Sequence, residues 1–370
     1  SEMCIRDSIT TVHPNRYDVR IFEKECVTLA KNGYEVTLIV NDKLQDEQCK
    51  GVKIVSLRIN AKNRVDRAIR VAQEAFSKAE KVNAEIYHIH DPELLGIAVK
   101  LKKNGKKVIF DSHEFTAMQI LTKEYIPVLI RKQMSDIYRY YEENRIKKLS
   151  GLVMPCLYDG KDYFSKVQIP KVIIGNMPII NQIGDLCKTY EKKDKVCYVG
   201  SITESRGIFH MIKAAFLAEK KLVLIGDMSL EMKQMLEQMP EYSNVEYLGA
   251  LSHDVALHEM SKCAVGLALL QDEGQYSKLG NLPTKLYEYM MLGIPAVISN
   301  FSFYEKMLKK YEFGIACDPS NDLAIANAIN TIISNDEKRQ LMSEMGRKAI
   351  QMELNWEQDA KKLLEFYETL

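Results

Sequence analysis

Residues 281–300 read NLPTKLYEYMMLGIPAVISN. The stretch predicts a helix followed at once by a buried strand. Leu282, Leu286, Tyr289 and Gly293 fall on one side at helical spacing. Thr284, Lys285 and Glu288 share another arc, because residues three and four apart are neighbours on a helix. Asn281 suits an N-cap and Pro283 a first turn. Gly293 can end the helix, Pro295 stops its continuation, and the strand Ala296–Ser299 begins there. A hydroxyl, an ammonium and a carboxylate thus gather near a helix N-terminus, whose free N–H groups attract anions. Such a cluster suits a nucleoside diphosphate: N–H groups and Lys285 for the phosphates, Glu288 for ribose hydroxyls. A solvated Lys–Glu pair would account for the same residues.

The chain around this stretch has 370 residues, more than one core comfortably serves, and predicts two domains. Hydrophobic residues make up 46% and charged residues 27%, the balance of a soluble globular protein. No run of about 18 apolar residues predicts a membrane span, and nothing near the start reads as a signal peptide. The eight cysteines (Cys4, Cys26, Cys49, Cys156, Cys187, Cys197, Cys263 and Cys317) include no C-x-x-C. Buried, reduced thiols in a cytoplasmic protein are expected. Residues 1–170 hold 29 Lys and Arg against 23 Asp and Glu, a net of +6; the remainder hold 22 against 27, a net of −5. A basic first half fits an anionic acceptor or a peripheral membrane surface. No nucleic-acid-binding motif is present.

In chain order the pattern alternates strand and helix. The first strand is expected at residues 9–12, a helix with Phe22, Cys26, Leu29 and Ala30 inward follows, and residues 34–40 form the second strand. No G-x-G-x-x-G follows the first strand, which argues against a dinucleotide dehydrogenase. His13, Asp18 and Arg20 occupy that loop; Arg20 either holds an acceptor anion or pairs at the surface with Asp18 or Glu23. Arg64, Arg67 and Arg70 make a basic stripe on a helix spanning 63–81. Strands at 86–90 and 107–111 deliver His90-Asp91 and Asp111-Ser112-His113-Glu114 to one sheet edge, where open α/β sheets bind ligands. Residues 125–148 form a long helix, aromatic and basic, that is either core or a lid touching lipid. After a polar linker the α/β rhythm repeats from residue 196, with SITESRG (201–207) as its first strand-to-helix loop.

PTKLYEYMMLGIPAVIS resembles the donor-binding signature of GT-B glycosyltransferases of the family 4 type (glycosyl transferase group 1). HDPEL followed by DSHE resembles its polysaccharide-assembly branch. The resemblance covers nearly the whole chain after residue 8; SEMCIRDS itself resembles sequencing-adapter read-through and is expected to be non-native. It implies an α/β GT-B fold, two Rossmann-like doubly wound domains facing a cleft. The expected bounds are 1–175 for the acceptor-side domain, 176–194 for the linker, 195–353 for the nucleotide-sugar domain and 354–370 for a helix returning to the first domain.

The activity implied is transfer of a sugar, with retention, from a UDP- or GDP-sugar to a glycan or lipid-linked acceptor in cell-surface polysaccharide biosynthesis. Catalysis is assigned by the resemblance to His113, Arg206 and Lys285. Donor binding is assigned to Gly200, Ser201, Arg206, Thr284, Lys285 and Glu288, and the acceptor side to His13, Arg20, His90 and Asp91. Relatives carry Gly-Arg where this chain has Gly200-Ser201; Arg206 stands in for a later lysine. Of two glutamates usual in the family, Glu288 is present and the other is replaced by Gly280. With no D-x-D, a metal-independent hexosyltransferase without cofactor is expected, cytoplasmic and peripheral at the inner membrane face. The alternatives are a sugar-nucleotide epimerase of the same architecture and a non-catalytic sugar-nucleotide-binding protein.

Overall fold

The computed structural model describes residues 5–12, 14–60, 66–123, 125–180 and 193–370. The expectations for His13, for Arg64 and for most of the 176–194 linker lie outside the described residues. The chain divides into two compact units, Ser1–Asn176 with Glu357–Leu370, and Met177–Trp356.

The first unit is built on strands β1 (Arg6–Thr10), β2 (Glu35–Val40), β3 (Glu47–Cys49), β4 (Val52–Ser56), β5 (Ile86–Ile89), β6 (Lys107–Asp111), β7 (Gly151–Met154) and β8 (Lys171–Ile173). They lie in the order β3-β4-β2-β1-β5-β6-β7-β8. Pairing is parallel except at β3, a short polar edge strand folded back on β4 that the residue pattern does not signal. The chain order reverses between β1 and β5, which makes the carboxyl ends of those two strands the switch point of a doubly wound sheet. The first strand begins earlier than its apolar residues predict. Arg6 pairs with Glu35 and Thr10 with Ile39, in register, and ladders on both sides hold the segment. Asp7 and Ser8 are thereby buried in the sheet.

The helix after β1 opens with wide π-turns at Val19–Cys26 and continues as Val27–Lys31. Its cap is Asp18, whose side chain accepts from Arg20 N and Ile21 N at 2.9 Å each. The long helix is Val128–Ile146, and it is not a core element. Val128, Leu129, Ile137 and Tyr140 on it are 70–88% exposed. Helix Trp356–Glu368 contributes Asp359, which accepts from Gly175 N at 2.8 Å, and Tyr367, described below.

The second unit has six parallel strands: β9 (Lys193–Val199), β10 (Lys221–Ile225), β11 (Val245–Tyr247), β12 (Cys263–Ala268), β13 (Ala296–Ser299) and β14 (Gly314–Cys317). Their order is β11-β10-β9-β12-β13-β14, so the switch point lies between β9 and β12. Alternate residues of β9 serve opposite faces: Cys197 packs in the core with Leu286, Tyr289 and Ile298, Val196 and Tyr198 in the core with Ile208, Ile212 and Ile329. A strand buried on both faces reads as a continuous apolar run. Helix Asp322–Ile333 covers one face through Ile325, Ala328, Ile329 and Ile332, at helical spacing.

Helix Thr284–Leu292 starts two residues later than an Asn281 cap predicts. Pro283 is the N-cap residue, without a side-chain hydrogen bond. Lys285 therefore sits in the first turn, among the free N–H groups.

Candidate functional site

In the second unit the candidate donor residues converge on the carboxyl end of β9. Strand β9 runs out at Val199, and Gly200 N donates to Ile225 O at 2.9 Å. Gly200 has φ +125°, and a Cβ there would lie 3.0 Å from Lys285 Nζ. Its lack of a side chain opens the slot that Lys285 fills. Lys285 is buried, with Nζ 3.8 Å from the centroid of the Tyr198 ring. The expected Lys285–Glu288 pair is absent among the described residues. Glu288 instead meets His253, Oε1 to Nε2, at 3.0 Å. Burial, then the nearby Arg206 charge, push the Lys285 ammonium well below the usual lysine range.

Arg206 ends the short turn Glu204–Arg206 ahead of helix Ile208–Leu217. The turn is fixed to the end of β12 by Gln271 N donating to Ser205 O at 2.9 Å. Gly207 follows at φ +80°, where a Cβ would come within 2.2 Å of Leu269 O, so only glycine lets this loop close on β12. The Arg206 guanidinium lies near the Tyr198 hydroxyl, where its charge opposes the rise in the phenol's pKa that burial causes. Ser201 and Thr284 are exposed at the rim. Two cations, neither with an ion-pair partner among the described residues, thus sit at the switch point beside free helix N–H groups. That arrangement is built to receive an anion with several oxygens.

In the first unit, β1, β5 and β6 end in a buried charged cluster. Arg20 donates to both Asp111 oxygens at 2.9 and 3.1 Å and to the carbonyls of Ile174 and Gly175 at 3.2 and 3.1 Å. Its Nε lies 3.2 Å from Glu25 Oε1. A surface pair with Asp18 or Glu23, and a free guanidinium for an acceptor anion, are both overturned. Asp18 is spent on the helix cap, Glu23 pairs with Lys50 at 2.6 Å, and Arg20 is buried. His90 Nε2 lies 3.2 Å from Glu25 Oε2, and His90 Nδ1 lies 2.8 Å from His113 Nε2. The other His113 nitrogen is 3.5 Å from Asp111 Oδ1. Burial lowers the basicity of both imidazoles.

Neither His90 nor Asp91 caps the helix that follows. Asp91, at φ +66°, accepts from Val12 N at 2.8 Å and from the Thr11 hydroxyl, tying the end of β5 to the end of β1. A non-glycine residue in that conformation stores strain, a frequent feature of functional sites. Glu25, His88, His90 and Asp111 offer donor atoms within 4.8 Å of one another, a spacing that a divalent cation could use. The Arg20 guanidinium already contacts both carboxylates, so the cluster is an ion network with its cation supplied by the chain.

Residues 187–349 match the family described as glycosyl transferases group 1. The second unit is a group 1 glycosyl transferase domain. This domain carries Gly200, Arg206, Lys285 and Glu288 in one place. Over 291 residues the chain is 22% identical to an uncharacterised glycosyltransferase of Methanocaldococcus jannaschii, covering 75% of this chain and 72% of that protein. The sucrose-phosphate synthase of Thermosynechococcus elongatus superposes with a TM-score of 0.76 at 14% identity, over 99% of this chain and 98% of that one. HepE of Anabaena, solved with UDP and glucose, gives 0.71 at 13% identity, over 99% and 100%. These structures show the fold, GT-B with two Rossmann-like domains. The group 1 match gives the class of the second unit, a glycosyl transferase domain.

Sequence reasoning missed His253 and Tyr198. His253 opens helix His253–Ser261, an exposed histidine whose sequence neighbours give no sign of Glu288. Tyr198 reads as an ordinary strand tyrosine.

Proposed function

We propose that the chain is a retaining, metal-independent hexosyltransferase of the family 4 type. It moves a sugar from a UDP- or GDP-sugar to a glycan or lipid-linked acceptor in cell-surface polysaccharide biosynthesis. The observation that carries this reading is the pair Arg206 and Lys285 at the β9–β12 switch point of a group 1 domain. The transition state has oxocarbenium character and a departing diphosphate, so charge develops on the phosphate oxygens. Two chain cations and the N–H groups of helix Thr284–Leu292 are suited to stabilise that charge without a divalent ion. Glu288 accepts from ribose hydroxyls through the oxygen that His253 leaves free. His113 is the first-unit catalytic residue in this reading. HepE, with its UDP and glucose, supports a UDP-sugar as the first donor to try.

The acceptor reaches the enzyme at a membrane surface in this proposal. The support is helix Val128–Ile146, which exposes Val128, Leu129, Ile137 and Tyr140 beside Arg131 and Lys132. An amphipathic helix of this kind suits a cytoplasmic protein held peripherally at anionic lipid. No helix among the described residues is long and apolar enough to cross a membrane.

Calorimetric titration with a panel of UDP- and GDP-sugars, followed by product analysis with and without acceptor, tests the reading. Saturable binding with sugar transfer only when acceptor is present supports it. Conversion of the donor sugar in the absence of acceptor would assign an epimerase, and binding without turnover on any acceptor a non-catalytic binding protein.

A further inference from the structure

Two buried tyrosines lie close together in the second unit, and their hydroxyls do different things. Tyr289 points its hydroxyl at strand carbonyls, Leu267 O at 3.3 Å and Cys197 O at 3.4 Å, which is a structural arrangement. Tyr198 has every polar feature directed at the anion site. Its ring face lies 3.8 Å below Lys285 Nζ. Its hydroxyl donates to Ser201 O at 2.8 Å, with the Arg206 charge nearby. The side chain is 1% exposed and leaves a strand whose backbone is held on both sides by β10 and β12. The ring is therefore a rigid platform.

We propose that Tyr198 is a positioning residue of the diphosphate site, holding the Lys285 ammonium on its ring face and the Gly200-Ser201 turn by its hydroxyl. The proposal rests on the reading of Arg206 and Lys285 as the cations that meet the donor's phosphates. Its physical basis is that an ammonium without a carboxylate partner, buried beside a guanidinium, is repelled from the place where it is needed. The negative face of an aromatic ring offsets that repulsion without occupying the hydrogen-bond donors that an incoming phosphate will use. A carboxylate in the same place would hold the lysine more firmly and compete with the donor. The hydroxyl adds the second half of the device: it fixes the Gly200-Ser201 turn after β9. A single side chain thereby sets the place of the Lys285 ammonium relative to that turn.

The test is UDP and UMP titration of the wild type, Tyr198→Phe and Tyr198→Leu by calorimetry, with circular dichroism to check folding. Tyr198→Phe keeps the ring and loses the hydroxyl; Tyr198→Leu loses both. UDP affinity is expected to fall several-fold in the first and about ten-fold or more in the second. UMP, lacking the second phosphate, should lose less. Folded variants that both bind UDP like the wild type overturn the proposal. A second readout serves if Tyr198→Leu does not fold. In the wild type the Lys285 side-chain methylene protons, assigned against Lys285→Met, should be shifted upfield by the ring and should move when UDP is added. Methylene resonances at ordinary lysine positions overturn the proposal. Wild-type protein that binds neither UDP nor GDP would instead overturn the donor-site reading, and the ring-shifted lysine would still decide the role of Tyr198.

Discussion

His253 Nε2 lies 3.0 Å from Glu288 Oε1, so the carboxylate expected to hold ribose is paired to an imidazole 35 residues away and not to the lysine one turn before it. The pairing raises the His253 basicity, chiefly through the hydrogen bond to Glu288. The neighbouring Asp254 acts in the same direction. A histidine whose folded pKa is raised contributes stability fully below its unfolded value of 6.5 and loses it as pH climbs through the folded value. With His253 60% exposed, the pair should contribute less than about 1 kcal/mol. His253→Ala should accordingly leave the melting temperature nearly unchanged and alter donor affinity a few-fold. Melting curves and UDP titration at pH 6 and 8 check both; a large loss of stability would mean that the imidazole is structural.

Arg206 and Lys285 should each matter to the diphosphate and little to folding. A charge-assisted contact contributes roughly 1.5–3 kcal/mol. Arg206→Ala and Lys285→Ala should therefore weaken UDP or GDP binding about ten-fold or more, with cooperative unfolding retained. Unchanged affinity in both variants would sink the assignment. Because burial lowers the Lys285 pKa and an arriving diphosphate raises it again, donor binding should take up a proton. The window lies between the empty-site value and the ordinary 10.5, and within it affinity falls as pH rises. Calorimetry in two buffers of different ionisation enthalpy measures the uptake, which should vanish in Lys285→Met.

Much of the architecture was open to sequence reasoning because both sheets follow the same rule. Apolar runs such as Val196–Tyr198 and Val297–Ile298 mark doubly buried strands, and the glycines and prolines between them mark the turns. The candidate site was legible where a short motif carries its own geometry: Pro283 through Gly293 gives the helix, its end at Gly293 and the first-turn place of Lys285, though not its cap. It was not legible where partners are distant. Arg20 has acidic neighbours in Asp18 and Glu23, yet it pairs with Glu25 and, beyond it, with Asp111 and the backbone near residue 175, which no local pattern brings close. A helical wheel puts Lys285 on the same arc as exposed Thr284. It cannot show that the missing side chain at Gly200 and the face of Tyr198 make a slot for it.

Asp7 tests the unusual first strand. It is fully buried, Tyr367 donates to its Oδ2 at 3.1 Å, and its Oδ1 has no hydrogen-bond partner in the structure. Burial pushes its pKa from 3.8 up to about 7. The native state thus holds a proton between those values that the unfolded chain has released, and stability falls as pH rises from about 4 to about 7. Asp7→Val should stabilise the protein by roughly 1–3 kcal/mol at pH 8 and by less at pH 4. Denaturant unfolding at the two pH values decides it; a destabilised variant at pH 8 would mean that the Asp7–Tyr367 hydrogen bond outweighs the buried charge.

The exposed face of helix Val128–Ile146 predicts weak, salt-sensitive binding to anionic vesicles. Leu129, 88% exposed, and Ile137, 70% exposed, leave most of their apolar surface uncovered by the chain itself. Leu129→Glu with Ile137→Glu should abolish sedimentation with vesicles containing phosphatidylglycerol and leave UDP affinity as it was. Absence of vesicle binding by the wild type even at low ionic strength would mean that the acceptor is met in solution.

His113 carries the last prediction. Arg206, Lys285 and Glu288 belong to the second unit and His113 to the first. If donor affinity resides in the second unit, His113→Ala should lower turnover far more than it weakens donor binding, because the interaction removed is made in the transition state. The resting geometry sharpens this. Both His113 ring nitrogens face protein groups, Nε2 toward His90 and Nδ1 toward Asp111. A half-turn of the ring about its Cβ–Cγ bond would exchange those nitrogens for carbons and present the nitrogens on the other side. His113→Asn offers one donor and one acceptor but cannot keep both inward contacts while reaching outward. It should therefore recover little of the lost rate. Steady-state kinetics beside direct donor titration distinguish the cases. Full turnover in His113→Ala would return His113 to a structural role at the end of β6, as the outermost member of the buried Glu25–His90 chain, and would leave the transferase reading without a catalytic residue in the first unit.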